Sequence, residues 1–181
     1  MKNPLIILAA LVVISAAVYW ATAEFSGESN SSVYMNDTYD ISFEYPDTYE
    51  LQEREVGNGE RYRYAITLID KEALANIPQN GEGPPAINVE IFQNNLDKLS
   101  VETWVRGTNF SNFKLSPDGT LTVGTVAGTP ALSYIWDGLY RGRSVVVAHK
   151  GNIIMLSVQW LTEEDAIIKD FADLLTSFDL N

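Results

Sequence analysis

Few residues in this chain could do chemistry. There is one histidine, His149, and no cysteine. Cysteine nucleophiles, thiolate metal sites, disulfides and a lipidated cysteine behind a leader are excluded, and so is a metal site built on several histidines. His149 stands beside Lys150-Gly151 at a strand end, where a histidine is ordinarily solvated or hydrogen-bonded. A general base there would need a Ser or Asp partner that spacing alone does not place. Glu44, Glu50, Glu53, Glu90 and Glu102 could include a glycosidase pair, with carboxyls about 5 or about 6.5 to 9.5 Å apart. Since 24 acids share one domain, some pair at such a distance is inevitable. Asp118-Gly119 and the segment Asn36-Asp37-Thr38-Tyr39-Asp40 carry oxygens suited to calcium. Neither reproduces the D-x-[DN]-x-[DN]-G loop, and Asp and Asn favour turns for their own hydrogen bonds. The motifs G-x-S-x-G, H-E-x-x-H and G-x-x-x-x-G-K-[ST] are absent. No catalytic, cofactor-binding or metal-ligating residue is assigned.

One stretch concentrates the residue types of binding hot spots. W-D-G-L-Y-R-G-R, residues 136 to 143, sets two aromatics and two arginines around a turn in an otherwise acidic chain. Trp136, Tyr140, Arg141 and Arg143 form the candidate partner-binding surface. The competing explanation is a hairpin whose aromatics face the core and whose arginines screen nearby carboxylates.

The elements that would position these residues follow from periodicity. S-V-V-V-A-H and N-I-I-M-L-S-V-Q-W flank Lys150-Gly151 and form a β-hairpin, with Ile154, Leu156, Val158 and Trp160 on one face and Ile153, Met155, Ser157 and Gln159 on the other. The period then changes from 2 to 3.6. Thr162 is the expected cap of a helix beginning at Glu163, whose stripe is Ile167, Phe171, Leu174, Leu175 and Phe178. Upstream, Tyr39 to Tyr45 alternates as an opening strand ended by Pro46. Two runs around Gly57-Asn58-Gly59 form a hairpin, and Ile87, Val89 and Ile91 mark a further inward-facing strand. Ser100 caps a short helix buried through Val101, Trp104 and Val105. Strands around Gly128 and Asp137-Gly138 complete a meander closed by the last helix. The fold class is α+β, with an antiparallel sheet of about six strands flanked by helices.

Residues 5–23 are uncharged and apolar, close to the ~20 that span a bilayer as a helix. They read either as a signal anchor or, because Ala21-Thr22-Ala23 is an A-x-A pattern, as a signal peptide cleaved after Ala23. In both cases Lys2 stays inside and the rest lies outside the cytoplasm. The expected organisation is anchor or leader over 1–23, flexible linker over 24–36 and a globular domain over 37–181. The formal net charge of −12 argues against nucleic acid as a partner, since phosphate contacts need clustered Lys and Arg.

The aromatic opening strand ending in Tyr45-Pro46, the Val126-Ala127-Gly128-Thr129-Pro130-Ala131 turn, the apolar strand Ile153 to Trp160 and the helix ending in Leu175-Thr176-Ser177-Phe178 resemble the PsbP-like family, including its bacterial envelope members. The resemblance covers roughly Tyr39 to Leu180. It implies an α/β/α sandwich around an antiparallel sheet and no shared catalytic constellation, so it transfers no active site. The expected function is that of a non-catalytic, extracytoplasmic domain, membrane-tethered or secreted, that binds a partner protein or envelope component without a cofactor. Two alternatives stand beside it: a secreted hydrolase using a carboxylate pair or a Ser with His149, and a calcium-binding envelope domain.

Overall fold

The computed structural model describes residues 30–57, 62–77, 79 and 81–181. The expected anchor or leader over 1–23, and the linker as far as residue 29, lie outside the described residues. Among the described residues no helix is long and apolar enough to cross a membrane.

Residues 31–181 form one unit of α+β architecture. In chain order its elements are β1 (Ser31–Asn36), β2 (Ile41–Pro46), β3 (Tyr49–Val56), β4 (Arg63–Asp70), α1 (Lys71–Ala75), β5 (Ala86–Gln93), α2 (Val101–Gly107), a 3-10 turn (Phe113–Leu115), β6 (Thr122–Val126), β7 (Thr129–Asp137), β8 (Arg141–His149), β9 (Asn152–Trp160), α3 (Ala166–Ser177) and β10 (Asp179–Leu180). The main sheet has seven strands rather than about six, in the order β3-β4-β5-β9-β8-β7-β6, with every described pairing antiparallel. The opening strand β2 is not part of it. It sits in a separate three-stranded sheet, between β1 and β10.

Two of those edges differ from the expectation for physical reasons. Ser31–Asn36, expected as linker, is a strand: polar Ser32 and Asn36 alternate with exposed Val33 and Met35, and Tyr34 is the only apolar side chain it buries. Small polar residues hid a strand whose pairing with β2 and single anchor suffice. Tyr34 stacks on Phe43 at 5.0 Å and donates its hydroxyl to Glu53 at 2.6 Å. α3 begins at Ala166, three residues after the expected start. The Asp165 carboxylate accepts the Leu161 and Thr162 N–H groups, at 2.7 and 3.1 Å, together with the Thr162 hydroxyl at 2.8 Å. It closes a turn there, leaving Glu163 and Glu164 outside the helix.

β9 is the central strand and is buried on both faces. Ile154, Leu156 and Val158 pack beneath α3, against Phe171, Leu174 and Phe178, and Phe43 of the small sheet stacks on Phe178 at 5.9 Å. Ile153 and Met155 face the other way, against Trp104 and Val105 of α2. Removing each such side chain from water contributes about 1.5–3 kcal/mol, so this strand carries much of the core energy. Its hairpin with β8 turns through Lys150 and Gly151 at φ +45° and +79°, both in the left-handed region that two-residue hairpins use. Lys150 then ties the turn to Asp40 at 2.8 Å and to the main-chain oxygen of Asn181 at 2.6 Å.

Candidate functional site

The alternation of β7 and β8 decides where the Trp136–Arg143 cluster points. Trp136 opposes Gly142, and Ile135 opposes Arg143. Trp136 is on the α2 face and only 3% exposed. Its indole lies over Gly142, and its Nε1–H donates to the buried Ser144 hydroxyl at 3.0 Å. Arg141 and Arg143 are exposed on the opposite face, with Val145 and Val147. Arg141 pairs with Glu163 at 2.7 Å. Tyr140, at the turn, donates its hydroxyl to the Gly83 carbonyl at 2.8 Å. The four residues therefore do not share one surface, and Trp136 is a core residue. The signal in the sequence was Gly142: a glycine inside a strand marks a close approach, here by a ring from the neighbouring strand.

Most of the carboxylates weighed for catalysis have structural partners, and His149 does not. The Nε2 of His149 is buried without a hydrogen-bond partner among the described residues. Burial, and then the adjacent Lys150 charge, holds its pKa below the ordinary imidazole range, with Asp40 acting weakly in the opposite sense. Glu53 accepts phenol hydroxyls from Tyr34 and Tyr64, which lower its pKa. Glu90 is half-buried and paired with Arg63 at 3.1 Å; burial outweighs Arg63 and Arg54, so its pKa is raised. Glu102 pairs with Arg106 along α2, and Glu50 accepts from Gln52. Asp118 accepts the Thr120 N–H and the Ser116 hydroxyl, while the Asn36 side chain accepts the Thr38 and Tyr39 N–H groups. Among the described residues, no three His, Asp or Glu side chains gather in a way that could hold a metal ion.

A site not anticipated from the sequence lies between α2 and the loop after β5. It is a cleft of about 480 Å³ whose walls include Phe92, Leu96, Leu99, Trp104 and Phe110. Phe92, next to last in β5, faces α2 and meets Trp104 at 4.8 Å and Phe110 at 5.3 Å. Ser100 positions Trp104 by accepting the Thr103 N–H, which starts α2 where periodicity placed it. The loop is closed by Asn94, whose side chain both accepts from the Leu99 N–H and donates to the Leu99 carbonyl. The Arg63 guanidinium lies 5.1 Å from the Phe110 ring centre and 5.8 Å from that of Phe92, so the Glu90–Arg63 pair braces the aromatic wall from behind. Leu96 and Phe110 are 65% and 55% exposed at the mouth. The clue was the apolar pair Leu96 and Leu99, with Phe110, in polar loops on either side of an amphipathic helix.

No family model matches the chain, and no curated protein matches it in sequence. A solution structure of cyanobacterial PsbP (CyanoP) from Synechocystis sp. PCC 6803 is similar with a TM-score of 0.55, over 87% of this chain and 96% of that one. The fold is PsbP-like. Sequence identity is 12%, so the likeness reaches the PsbP-like fold alone and brings no residue's role with it. A Bacteroides thetaiotaomicron VPI-5482 protein is similar at 0.48 with 8% identity, over 82% of this chain and 48% of that one. The Saccharomyces cerevisiae Ran-binding protein Mog1p is also similar at 0.48, with 12% identity over 84% and 96%.

Proposed function

We propose that this PsbP-like domain is a non-catalytic binding module outside the cytoplasm, tethered to the membrane by its N-terminal segment or released from it, and that it holds a partner protein or envelope component. The Phe92–Trp104–Phe110 cleft carries the reading. Exposed Leu96 and Phe110 stand over nearly buried Phe92 and Trp104, so an apolar side chain entering the cleft completes a core that the fold leaves open on one side. One anchored apolar group contributes about 1.5–3 kcal/mol, enough to make a cleft of this size the energetic centre of an interface.

The test is capture from a solubilised envelope fraction with the full chain, comparing the wild type with Leu96→Asp and Phe110→Ser. Both positions are exposed, so folding is expected to survive and the melting temperature reports it. A component retained by the wild type and lost from both variants supports the module. Equal recovery refutes the cleft, and a chain protected from protease in intact cells refutes the location.

A further inference from the structure

The edge strand β6 points to a second binding mode, on the opposite side of the sheet from the cleft. β6 has β7 on one side and, among the described residues, no strand on the other, and Thr122, Val123, Gly124 and Thr125 are all exposed, Val123 at 78%. A sheet edge is a row of unpaired N–H and C=O groups, and proteins usually guard it with charge, proline or a bulge. The other edge of this sheet follows that rule, since β3 carries Glu50, Glu53, Arg54 and Glu55. β6, with the sequence T-V-G-T-V, carries no charge and no proline.

On the α3 face, with β7 between it and the edge strand, stands Arg143 of the Trp136–Arg143 cluster. Arg143 is exposed and has no hydrogen-bond or ion-pair partner among the described residues. It lines two hollows next to β6, one shared with Asp118, Thr120, Thr122 and Ser133, the other with Gly124, Ala131 and Leu175; the Asp118 carboxylate accepts from the Thr120 N–H and the Ser116 hydroxyl of its own turn. Thr122 and Gly124 lie on the same face as Ala131 and Ser133, so the floor nearest the edge is built of small side chains, and Ile135 stands opposite Arg143 at its far end. We propose that the free edge of β6 takes up an extended strand from a partner protein, with an Asp or Glu side chain of that strand reaching over this floor to Arg143. Main-chain hydrogen bonds supply the affinity and the carboxylate sets the register, as strand addition to a sheet edge requires. A second copy of this chain fits less well. Its own β6 offers no acid to Arg143, and both copies carry a net charge of −12.

The proposal is independent of the cleft, and its test keeps the two apart. The probe is a nine-residue synthetic peptide of alternating Thr and Val with a central Glu, titrated by fluorescence anisotropy against the full chain in mild detergent. Saturable binding is expected. N-methylation of alternate peptide nitrogens should abolish it in one phase and spare it in the other, because only every second N–H of an added strand faces the edge. Arg143→Ala should weaken binding about fivefold, replacing Glu by Gln in the peptide should do the same, and the two changes together should cost little more than either alone. Leu96→Asp should leave peptide binding intact. The proposal is overturned if the parent peptide does not bind, if both methylated phases bind alike, if Arg143→Ala changes nothing, or if sedimentation shows that the edge is closed by dimerisation the peptide does not reverse.

Discussion

Gly142→Ala is the sharpest test of how the β7–β8 hairpin is packed. A Cβ at position 142 would lie 2.6 and 2.8 Å from Cε2 and Cη2 of Trp136, and closer still to Cζ2. Carbon atoms in contact normally stand about 3.5–4.0 Å apart, so the overlap is about 1 Å against three ring atoms. The ring has little room to yield, because Trp136 is 3% exposed and its Nε1–H is held by the buried Ser144. Overpacking of this kind costs about 1–3 kcal/mol, and a Trp136–Ser144 hydrogen bond broken as the ring tilts adds about 1–3. A loss of about 3 kcal/mol is expected. It is large against a total of about 5–15 kcal/mol and opposite in sign to the gain that Gly→Ala brings to an unstrained site.

Urea unfolding followed by tryptophan fluorescence measures it. With a slope of about 2 kcal/mol per molar, the midpoint should fall by about 1.5 M. Gly124→Ala on β6 is the control. No atom lies within 4 Å of a Cβ built there, so that variant should be unchanged or more stable by a few tenths of a kcal/mol. Trp136→Leu in the Gly142→Ala background should recover part of the loss, a coupling a double-mutant cycle reads directly. If Gly142→Ala unfolds within about 0.5 kcal/mol of the wild type, Trp136 does not rest on Gly142 and the division of the cluster between two faces fails.

Other expectations bear on the small sheet and the buried charges. A chain beginning at Asp37 loses β1, the Tyr34–Phe43 stack and the Tyr34–Glu53 hydrogen bond, and should be less stable by about 3–5 kcal/mol than one beginning at Asn30; equal urea midpoints would make β1 dispensable. Glu90 keeps its proton to higher pH in the folded chain than in the unfolded one, so its contribution falls as pH rises from the ordinary 4.5 through its raised value. Glu90→Gln should therefore gain on the wild type in urea midpoint across that rise, and a constant difference would contradict the burial. His149 has the opposite slope. The unfolded chain binds the proton first, so stability is lost as pH falls below 6.5, and His149→Gln should flatten that loss.

Much of the sheet was legible because its energetics are local. Each strand that buries one face writes that face as an alternation, as in Ile87, Val89 and Ile91, all 1% exposed. The Ser100 cap and the Lys150-Gly151 turn were legible for the same reason, since each depends on neighbours a few residues away. β1 was not, because Tyr34 alone marks it and its other inward residues are polar. The start of α3 was misplaced because Thr162 and the acids after it satisfy the composition of a cap, while Asp165 uses its carboxylate to close the preceding turn.

The residues of the candidate surface divide between two faces for a more general reason. Nearness in sequence is not nearness on the surface, because within a hairpin consecutive residues point to opposite faces, and partners across the turn share one. Applied to W-D-G-L-Y-R-G-R, this rule pairs Trp136 with Gly142 on one face and leaves Arg141 and Arg143 on the other. A glycine opposite a tryptophan is then the cue that the ring is packed flat and taken out of recognition. The aromatics of the cleft come from three different local structures, β5, α2 and the loop after it, and only the packing of α2 on the sheet brings Phe92, Trp104 and Phe110 together. Such a cleft leaves no periodic trace; its only sign before folding is a few large apolar residues in loops with no strand or helix face to join.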